Sequence, residues 1–109
     1  MIKWVNVVPV VDFLDNTWRV VEVDDIPVIV FCYQDEFYAL KDVCTHDGGT
    51  LSDGDLEGCE IICPRHGARF DIRSGAVTAP PAYEAVPTYV VRVHEGMVQV
   101  ADNPSASAM

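Results

Sequence analysis

The residues best suited to chemistry lie in two short clusters, each of which pairs one cysteine with one histidine. The first is Cys44-Thr45-His46 and the second is Cys63-Pro64-Arg65-His66, and sixteen residues separate His46 from Cys63. Thiolates and imidazoles are ligands for zinc and for iron–sulfur centres, and the glycines that follow each cluster can bend the backbone around such a centre. Two loops of this kind can therefore bind one metal centre between them.

Three arrangements of ligands are compatible with these residues. The simplest is a single tetrahedral zinc ion bound by two Cys and two His, but zinc modules usually group like ligands, whereas here each loop carries one of each kind. A mixed pair on each loop favours a binuclear centre, in which the cysteines bind one iron and the histidines the other. An all-cysteine cluster would use Cys32, Cys44, Cys59 and Cys63; it lacks the plant-type spacing and would leave both histidines without a role.

The complete pattern is Cys44-Thr45-His46 with Leu51 and Gly54, followed by Cys63-Pro64-Arg65-His66-Gly67. It resembles the two-loop signature of Rieske iron–sulfur proteins. Over about residues 1–102, the chain is similar to the Rieske-type ferredoxins that serve bacterial aromatic ring-hydroxylating dioxygenases. The resemblance implies one [2Fe–2S] cluster as cofactor, with Cys44 and Cys63 on the inner iron and His46 and His66 on the outer, more exposed iron.

The resemblance also implies a low reduction potential. High-potential Rieske proteins carry an additional cysteine in each loop, joined as a disulfide, at the positions of Gly49 and Arg65 here. They also present a Ser and a Tyr hydroxyl to the cluster, where this chain has Ala68 and Phe70. Hydrogen bonds to sulfur stabilise the added electron, so we expect a potential near the bottom of the Rieske range of about -150 to +300 mV.

The size of the chain limits its function. A chain of 109 residues has room for one globular domain and no second catalytic domain. The resemblance therefore implies an electron carrier and not an enzyme: a monomer that takes single electrons from an NAD(P)H-dependent flavoprotein reductase and passes them to a terminal oxygenase. The alternatives are a Rieske ferredoxin of another reductase, oxygenase or iron–sulfur assembly system, a redox sensor, and a zinc-stabilised binding module.

Charge and hydropathy exclude other partners. Seventeen Asp plus Glu against seven Lys plus Arg give a formal net charge of -10, which repels nucleic-acid phosphates and anionic lipid. The apolar run Val7-Val8-Pro9-Val10-Val11 is too short for a signal-peptide core or a membrane span, so a cytoplasmic location is predicted. In that reducing compartment the cysteines are expected to be ligands or buried thiols, with Cys32 a small buried hydrophobe.

Two further features concern the surroundings of the site. Arg65, Arg69 and Arg73 recur in the second loop. Acidic residues crowd the first, namely Asp42, Asp47, Asp53, Asp55, Glu57 and Glu60. This charge pattern is explained either by internal salt bridges between the loops or, for Arg65, by docking of an electron-transfer partner. Pro80-Pro81 resembles the proline loop that covers the cluster in this family.

Short β-strands must position these loops, because apolar and polar residues alternate or run in β-branched stretches. Strands are expected over residues 4–8, 17–23, 27–33, 37–41, 89–94 and 97–101, with tight turns after Val23, Tyr33 and His94. The predicted fold is all-β, a Rieske-like antiparallel β-sandwich or partly open barrel with a small loop-rich cluster-binding subdomain.

The expected single domain divides into a base, at about residues 1–41 and 82–102, and the cluster-binding subdomain, at about residues 42–81. Within the subdomain the predicted strands are short, such as residues 60–62 and 68–71, and six of the seven glycines fall there. We therefore expect a metal centre to order this segment. The tail, residues 103–109, is expected to be frayed.

Overall fold

A computed structural model describes the backbone over residues 2–104 and the side chains over residues 2–102. It contains ten β-strands and one short 3-10 helix, Val10–Asp12. The strands, in chain order, are β1 (Trp4–Pro9), β2 (Thr17–Val23), β3 (Ile26–Tyr33), β4 (Glu36–Lys41), β5 (Asp55–Glu57), β6 (Glu60–Ile62), β7 (Arg69–Asp71), β8 (Val77–Ala79), β9 (Thr88–His94) and β10 (Met97–Pro104). No helix in this part of the chain is long and apolar enough to cross a membrane.

Six of the strands form one antiparallel sheet in the order β1-β10-β9-β4-β3-β2. Its edge strands, β1 and β2, approach each other, so the sheet is nearly closed into a barrel. All six predicted barrel strands and the all-β fold class are confirmed. Strand β10 runs to Pro104, which pairs with Tyr89, so the expected tail overlaps this strand at residues 103 and 104. The rest of that tail lies outside the described residues.

Three two-residue turns connect neighbouring barrel strands. Both central residues of each turn have positive φ, which is the backbone of the type I′ turn that matches the twist of antiparallel strands. The central pairs and their φ angles are Asp24 (52°) and Asp25 (68°), Gln34 (52°) and Asp35 (63°), and Glu95 (50°) and Gly96 (78°). The three tight turns expected from the sequence are therefore confirmed.

The remaining four strands form a small antiparallel sheet in the order β5-β6-β7-β8. Strands β6 and β7 were expected from the sequence, although β7 begins at Arg69 and not at Ala68. Strands β5 and β8 were not expected. The segment has its own hydrogen-bonded sheet, and the expectation that a metal centre orders it stays a prediction. A three-residue strand is too short to display an alternating pattern of apolar and polar residues.

Strand β3 is buried on both faces and separates two hydrophobic cores. Alternate residues face opposite ways, as the pleat of a strand requires. The barrel core contains Phe13, Val23, Val28, Val30, Cys32, Ala39, Tyr89, Val98 and Val100. The inter-sheet core, which lies between the barrel and the small sheet, contains Ile29, Phe31, Leu40, Cys44, Leu51, Ile61, Cys63, Ala68, Phe70, Ile72, Ala82 and Val86.

The position of Cys32 resolves one of the alternatives. Cys32 is buried in the barrel core, where its thiol faces the carbonyl oxygen of Phe13, while Cys44 and Cys63 belong to the inter-sheet core. The expectation of a small buried hydrophobe at Cys32 is confirmed, and burial raises the pKa of its thiol. An all-cysteine cluster that needs Cys32 is incompatible with this placement.

Candidate metal centre

The two cysteine–histidine clusters lie on loops of closely similar construction. In the first loop (residues 44–53) the N–H of Cys44 donates to the carbonyl oxygen of Gly49, and in the second loop (residues 63–68) the N–H of Cys63 donates to that of Ala68, both at 2.7 Å. The residues four positions after each cysteine, Gly48 and Gly67, donate back to its carbonyl oxygen and have φ of 78° and 80°. Glycine occupies these two equivalent positions because other residues rarely adopt positive φ.

These loops bring the two cysteines together in the inter-sheet core. Cys44 and Cys63 are completely buried, and their Sγ atoms lie within 4.8 Å of each other. Burial is the main cause that raises the pKa of the Cys44 thiol, because the charged thiolate is poorly solvated there. Neither thiol is in a disulfide.

The two histidines are brought together at the surface. His46 and His66 are both exposed, and their ring centroids are 5.1 Å apart with the rings nearly perpendicular, at 83°. The structure therefore pairs like side chains across the loops, the two thiols inside and the two imidazole rings outside. This is the separation that one iron with two thiolates and a second iron with two imidazoles requires. The donor set fits such a group, and the assignment of these four residues as ligands stays a prediction.

Sequence reasoning placed Asp47 only among the acids of the first loop and missed its position at the thiols. One of its carboxylate oxygens lies within 4.8 Å of both the Cys44 and Cys63 Sγ atoms. Both oxygens already have partners, since Oδ2 accepts from Nε of Arg65 at 2.6 Å and Oδ1 accepts from the N–H of Gly49 at 2.9 Å. The bond from Arg65 is the main cause that holds the pKa of Asp47 at about 2. Asp47 is therefore not free to act as a ligand in this arrangement.

Arg65 links the second loop to the first. Besides its ion pair with Asp47, its guanidinium donates to the carbonyl oxygen of Thr50 at 2.9 Å and lies so close to Gly49 that a Cβ there would collide with it. The resemblance placed a disulfide of high-potential relatives at the positions of Gly49 and Arg65, and here the same two positions are in contact without a covalent bond. The geometry supports the salt-bridge interpretation of Arg65.

The other two arginines have internal partners as well. Arg69 pairs with Glu57 and Glu60 across the small sheet, at 2.7 and 3.0 Å. Arg73 pairs with Asp71 at 3.0 Å, within the turn that follows β7. Each of the three arginines around the site is therefore paired with an acidic residue of the same region.

The far end of the first loop is held by a residue that the motif does not contain. Asp42 was counted among the acids that crowd the first loop, but it is almost completely buried. Its Oδ1 accepts from the N–H groups of Leu51 and Ser52 at 2.7 and 2.8 Å, and its Oδ2 accepts from the Ser52 hydroxyl at 2.7 Å. Trp18 of β2 donates its indole N–H to the carbonyl oxygen of Ser52 at 3.2 Å. The loop is thus fixed to the barrel from two sides, by Asp42 and by Trp18. The only signal of this in the sequence is the position of Asp42 between β4 and Cys44.

The segment that contains Pro80 and Pro81 also approaches the first loop. The Thr45 hydroxyl, between the first cysteine and histidine, donates to the carbonyl oxygen of Glu84 at 2.6 Å. The neighbouring Tyr83 is 89% exposed. That Pro80 and Pro81 cover the site stays a prediction.

Comparison with known proteins identifies the family. The model of the Rieske [2Fe-2S] domain matches residues 3–90. Among characterised proteins, the chain is 33% identical over 99 residues to the ferredoxin component of the naphthalene 1,2-dioxygenase system of Pseudomonas putida, covering 91% of this chain and 95% of that one. It is 37% identical over 99 residues to ferredoxin CarAc of Metapseudomonas resinovorans, covering 90% and 92%.

Solved structures agree. The chain matches one in the complex of reduced oxygenase and oxidized ferredoxin in carbazole 1,9a-dioxygenase with a TM-score of 0.89 and 36% identity, over 94% of this chain and 95% of that one. The match to the ferredoxin of carbazole 1,9a-dioxygenase from Nocardioides aromaticivorans has a TM-score of 0.88 and 32% identity, over 93% and 99%. These relatives confirm the predicted class, an electron-transfer ferredoxin with one Rieske-type [2Fe–2S] cluster, not a catalytic subunit. The chain belongs to the Rieske [2Fe–2S] family.

Proposed function

We propose that this protein carries single electrons from an NAD(P)H-dependent flavoprotein reductase to a terminal aromatic-ring dioxygenase in the cytoplasm. The observation that carries the proposal is the paired arrangement of donors, with two thiols buried and two imidazoles at the surface. The near-complete overlap with ferredoxin components of dioxygenase systems supports the partners. The unpaired cysteines support a reducing compartment.

The proposal assigns Cys44 and Cys63 to the inner iron and His46 and His66 to the outer iron. When bound, the cluster accepts and releases one electron at a time. Residues 42–81 then form the cluster-binding part, and residues 1–41 and 82–102 form the base. Exposed imidazoles place the outer end of the site where a docked partner comes closest, so an electron travels only a short distance between proteins.

The residues around the thiols set the environment of the inner end. Leu51, Ala68 and Phe70 are completely buried beside the cysteines and exclude water. Ala68 and Phe70 have no hydroxyl to donate to the cluster sulfurs. Because such hydrogen bonds favour the reduced state, we expect a potential low in the Rieske range.

Visible absorption, low-temperature EPR of the reduced protein, and analysis of iron, sulfide and zinc test the site. We expect two irons and two sulfides per chain with a Rieske-type EPR signal. His66→Ala is expected to abolish that signal, whereas His94→Ala, which alters the exposed histidine at the end of β9, is expected to keep it. A colourless protein with one zinc per chain would contradict the proposal.

Electron transfer itself is tested with purified partners. Stopped-flow mixing of the oxidised protein with an NADH-reduced flavoprotein reductase from an aromatic dioxygenase system should reduce the cluster. Mixing the reduced protein with a terminal oxygenase should reoxidise it. A protein that loads the cluster but exchanges electrons with no reductase or oxygenase of these systems would contradict the assigned partners and leave the cluster assignment intact.

A further inference from the structure

One charged pair lies beside the proposed inner end of the cluster. The Asp47 carboxylate is within 4.8 Å of both cysteine Sγ atoms, and its ion pair with Arg65 is 2.6 Å long. Among the residues the structure describes, no other carboxylate belongs to a donor group with these two thiols. A carboxylate this close to the electron-accepting group must influence how easily that group is reduced.

We propose that the Asp47–Arg65 ion pair sets the reduction potential of the cluster in addition to joining the two loops. Asp47 opposes the arrival of the electron, and Arg65 offsets that effect. The inference rests on the proposed function, since it requires a cluster held by Cys44, His46, Cys63 and His66.

The sign of each effect follows from the charge on the cluster. Two ferric ions, two sulfides and two thiolates sum to zero, so one added electron gives a net charge of -1. A fixed negative charge nearby makes that step less favourable, and a fixed positive charge makes it more favourable. The reductase flavin supplies the electron in the proposed function, and a chemical reductant supplies it in a titration.

The geometry keeps both charges at constant distances from the site. Asp47 is held by the N–H of Gly49 as well as by Arg65, and Arg65 is held by Asp47, by the Thr50 carbonyl and by its packing on Gly49. Both residues lie at the surface, with 20% of the Asp47 side chain and 33% of the Arg65 side chain exposed to solvent. Solvent and salt therefore weaken the effect without removing it.

Neutralising Asp47 and Arg65 one at a time distinguishes the effect of each charge on the potential from the effect of breaking their contact. Asp47→Asn is expected to favour reduction, by about tenfold in its equilibrium constant, which is about 59 mV for one electron. Arg65→Gln is expected to disfavour reduction by a similar factor, because the carboxylate is then uncompensated. The double variant is expected to return close to the unsubstituted protein. A purely structural link predicts another pattern, since both single variants break the same contact and would move the potential in the same direction or not at all.

Two further variants serve as controls. Arg65→Lys keeps the charge and is expected to leave the potential within a factor of two in equilibrium constant while weakening the link between the loops. Glu57→Gln removes the carboxylate of the Glu57–Arg69 ion pair, which at 2.7 Å is about as short as the Asp47–Arg65 pair. Glu57 does not belong to the donor group that contains the thiols. It is expected to leave the potential unchanged.

The measurement is a redox titration of the purified holoprotein by circular dichroism or visible absorption, at low and at high ionic strength. Opposite shifts of the two single variants, both reduced by salt, are the expected result; shifts of one sign or equal potentials overturn the inference. If Arg65→Gln does not retain the cluster, Asp47→Asn and the double variant still decide, because the double variant must have the lower potential of the two. Absence of the Rieske signal from the unsubstituted protein would instead overturn the proposed function.

Discussion

Asp42 lies outside the metal-binding motif but holds the loop that carries the first cysteine and histidine. The residue follows directly after β4, and from that buried position its carboxylate accepts hydrogen bonds from two backbone N–H groups and one hydroxyl of the first loop. Buried N–H groups need partners, since an unpaired one costs about 1–3 kcal/mol. The carboxylate therefore fixes the conformation of the loop segment that follows the first cysteine and histidine.

Replacing this carboxylate should destabilise the holoprotein. Asp42→Ala leaves the N–H groups of Leu51 and Ser52 without their acceptor, so we expect a loss of about 3 kcal/mol in the free energy of unfolding. In a domain of this size that corresponds to a decrease in Tm of about 10–20 °C. Thermal loss of the visible absorption of the cluster is the measurement.

Two variants control this experiment. Asp42→Asn keeps an oxygen acceptor for both N–H groups and is expected to lose clearly less than Asp42→Ala. Asp53→Ala removes an exposed carboxylate of the same loop, whose described contact is with the Thr50 hydroxyl, and is expected to change Tm by only a few degrees. Equal effects of Asp42→Ala and Asp53→Ala would show that the buried hydrogen bonds are not the cause.

At the scale of elements, all six strands of the barrel could be predicted from the sequence, whereas the small sheet could be predicted only in part. The six barrel strands have six to eight residues, enough to show alternation or a β-branched run, and their turns contain Asp and Gly residues suited to positive φ. The four strands of the small sheet have three residues each, too few for either pattern; β6 and β7 were expected from the sequence, and β5 and β8 were not. Strands β5 and β8 form because β6 and β7 offer them hydrogen-bonding edges, which is information that a local pattern does not contain.

The candidate site divides in a similar way. The spacing of Cys44, His46, Cys63 and His66 predicted that two loops would bind one metal centre between them, because turn geometry lets residues two or three positions apart converge. The pairing of Cys with Cys and of His with His was implied by the resemblance to Rieske proteins. The contact of Arg65 with Asp47 depends on how close the folded loops come to each other. The burial of Asp42 depends on the packing of the first loop on the barrel. Neither distance is encoded in a motif.

The approach of the first loop to β6 can be tested at one glycine. A Cβ at Gly54 would collide with the carbonyl oxygen of Ile62, the residue before Cys63. Gly54→Ala is therefore expected to push the end of the first loop away from the second, at a cost of about 1–3 kcal/mol, and to accelerate loss of the cluster. The half-life of visible absorption at elevated temperature measures this.

Gly58 provides the matched control in the β5–β6 turn. Its φ is 59°, which asparagine tolerates better than most residues, and nothing lies within 4 Å of the site of a Cβ. Gly58→Asn is expected to change the half-life little. If Gly58→Asn shortens the half-life as much as Gly54→Ala does, close packing at Gly54 is not what holds the two loops together.

At the scale of the whole molecule, the two cores have different relations to the site. The inter-sheet core includes Cys44 and Cys63 themselves, so the proposed ligands are also core residues. The barrel core includes neither of them and is enclosed by the six-stranded sheet. Strand β3 contributes to both, with Ile29 and Phe31 on one face and Val28 and Val30 on the other. The barrel thus has a hydrophobic core that does not depend on metal ligands.

Removal of the cluster should therefore loosen one part of the molecule and spare the other. Metal binding contributes to folding free energy wherever the ligands are part of the packed structure, and local opening requires less free energy where that contribution is lost. In the apoprotein we expect amides of residues 42–81 to exchange with solvent at least tenfold faster than in the holoprotein. Amides of the barrel strands β9 and β10, which lack ligands, should exchange less than threefold faster.

Hydrogen–deuterium exchange followed by mass spectrometry measures both regions in one experiment. The control is the holoprotein in the same chelator-containing buffer, sampled before the cluster is lost. A uniform increase over all peptides would mean that the barrel core needs the cluster as much as the inter-sheet core does.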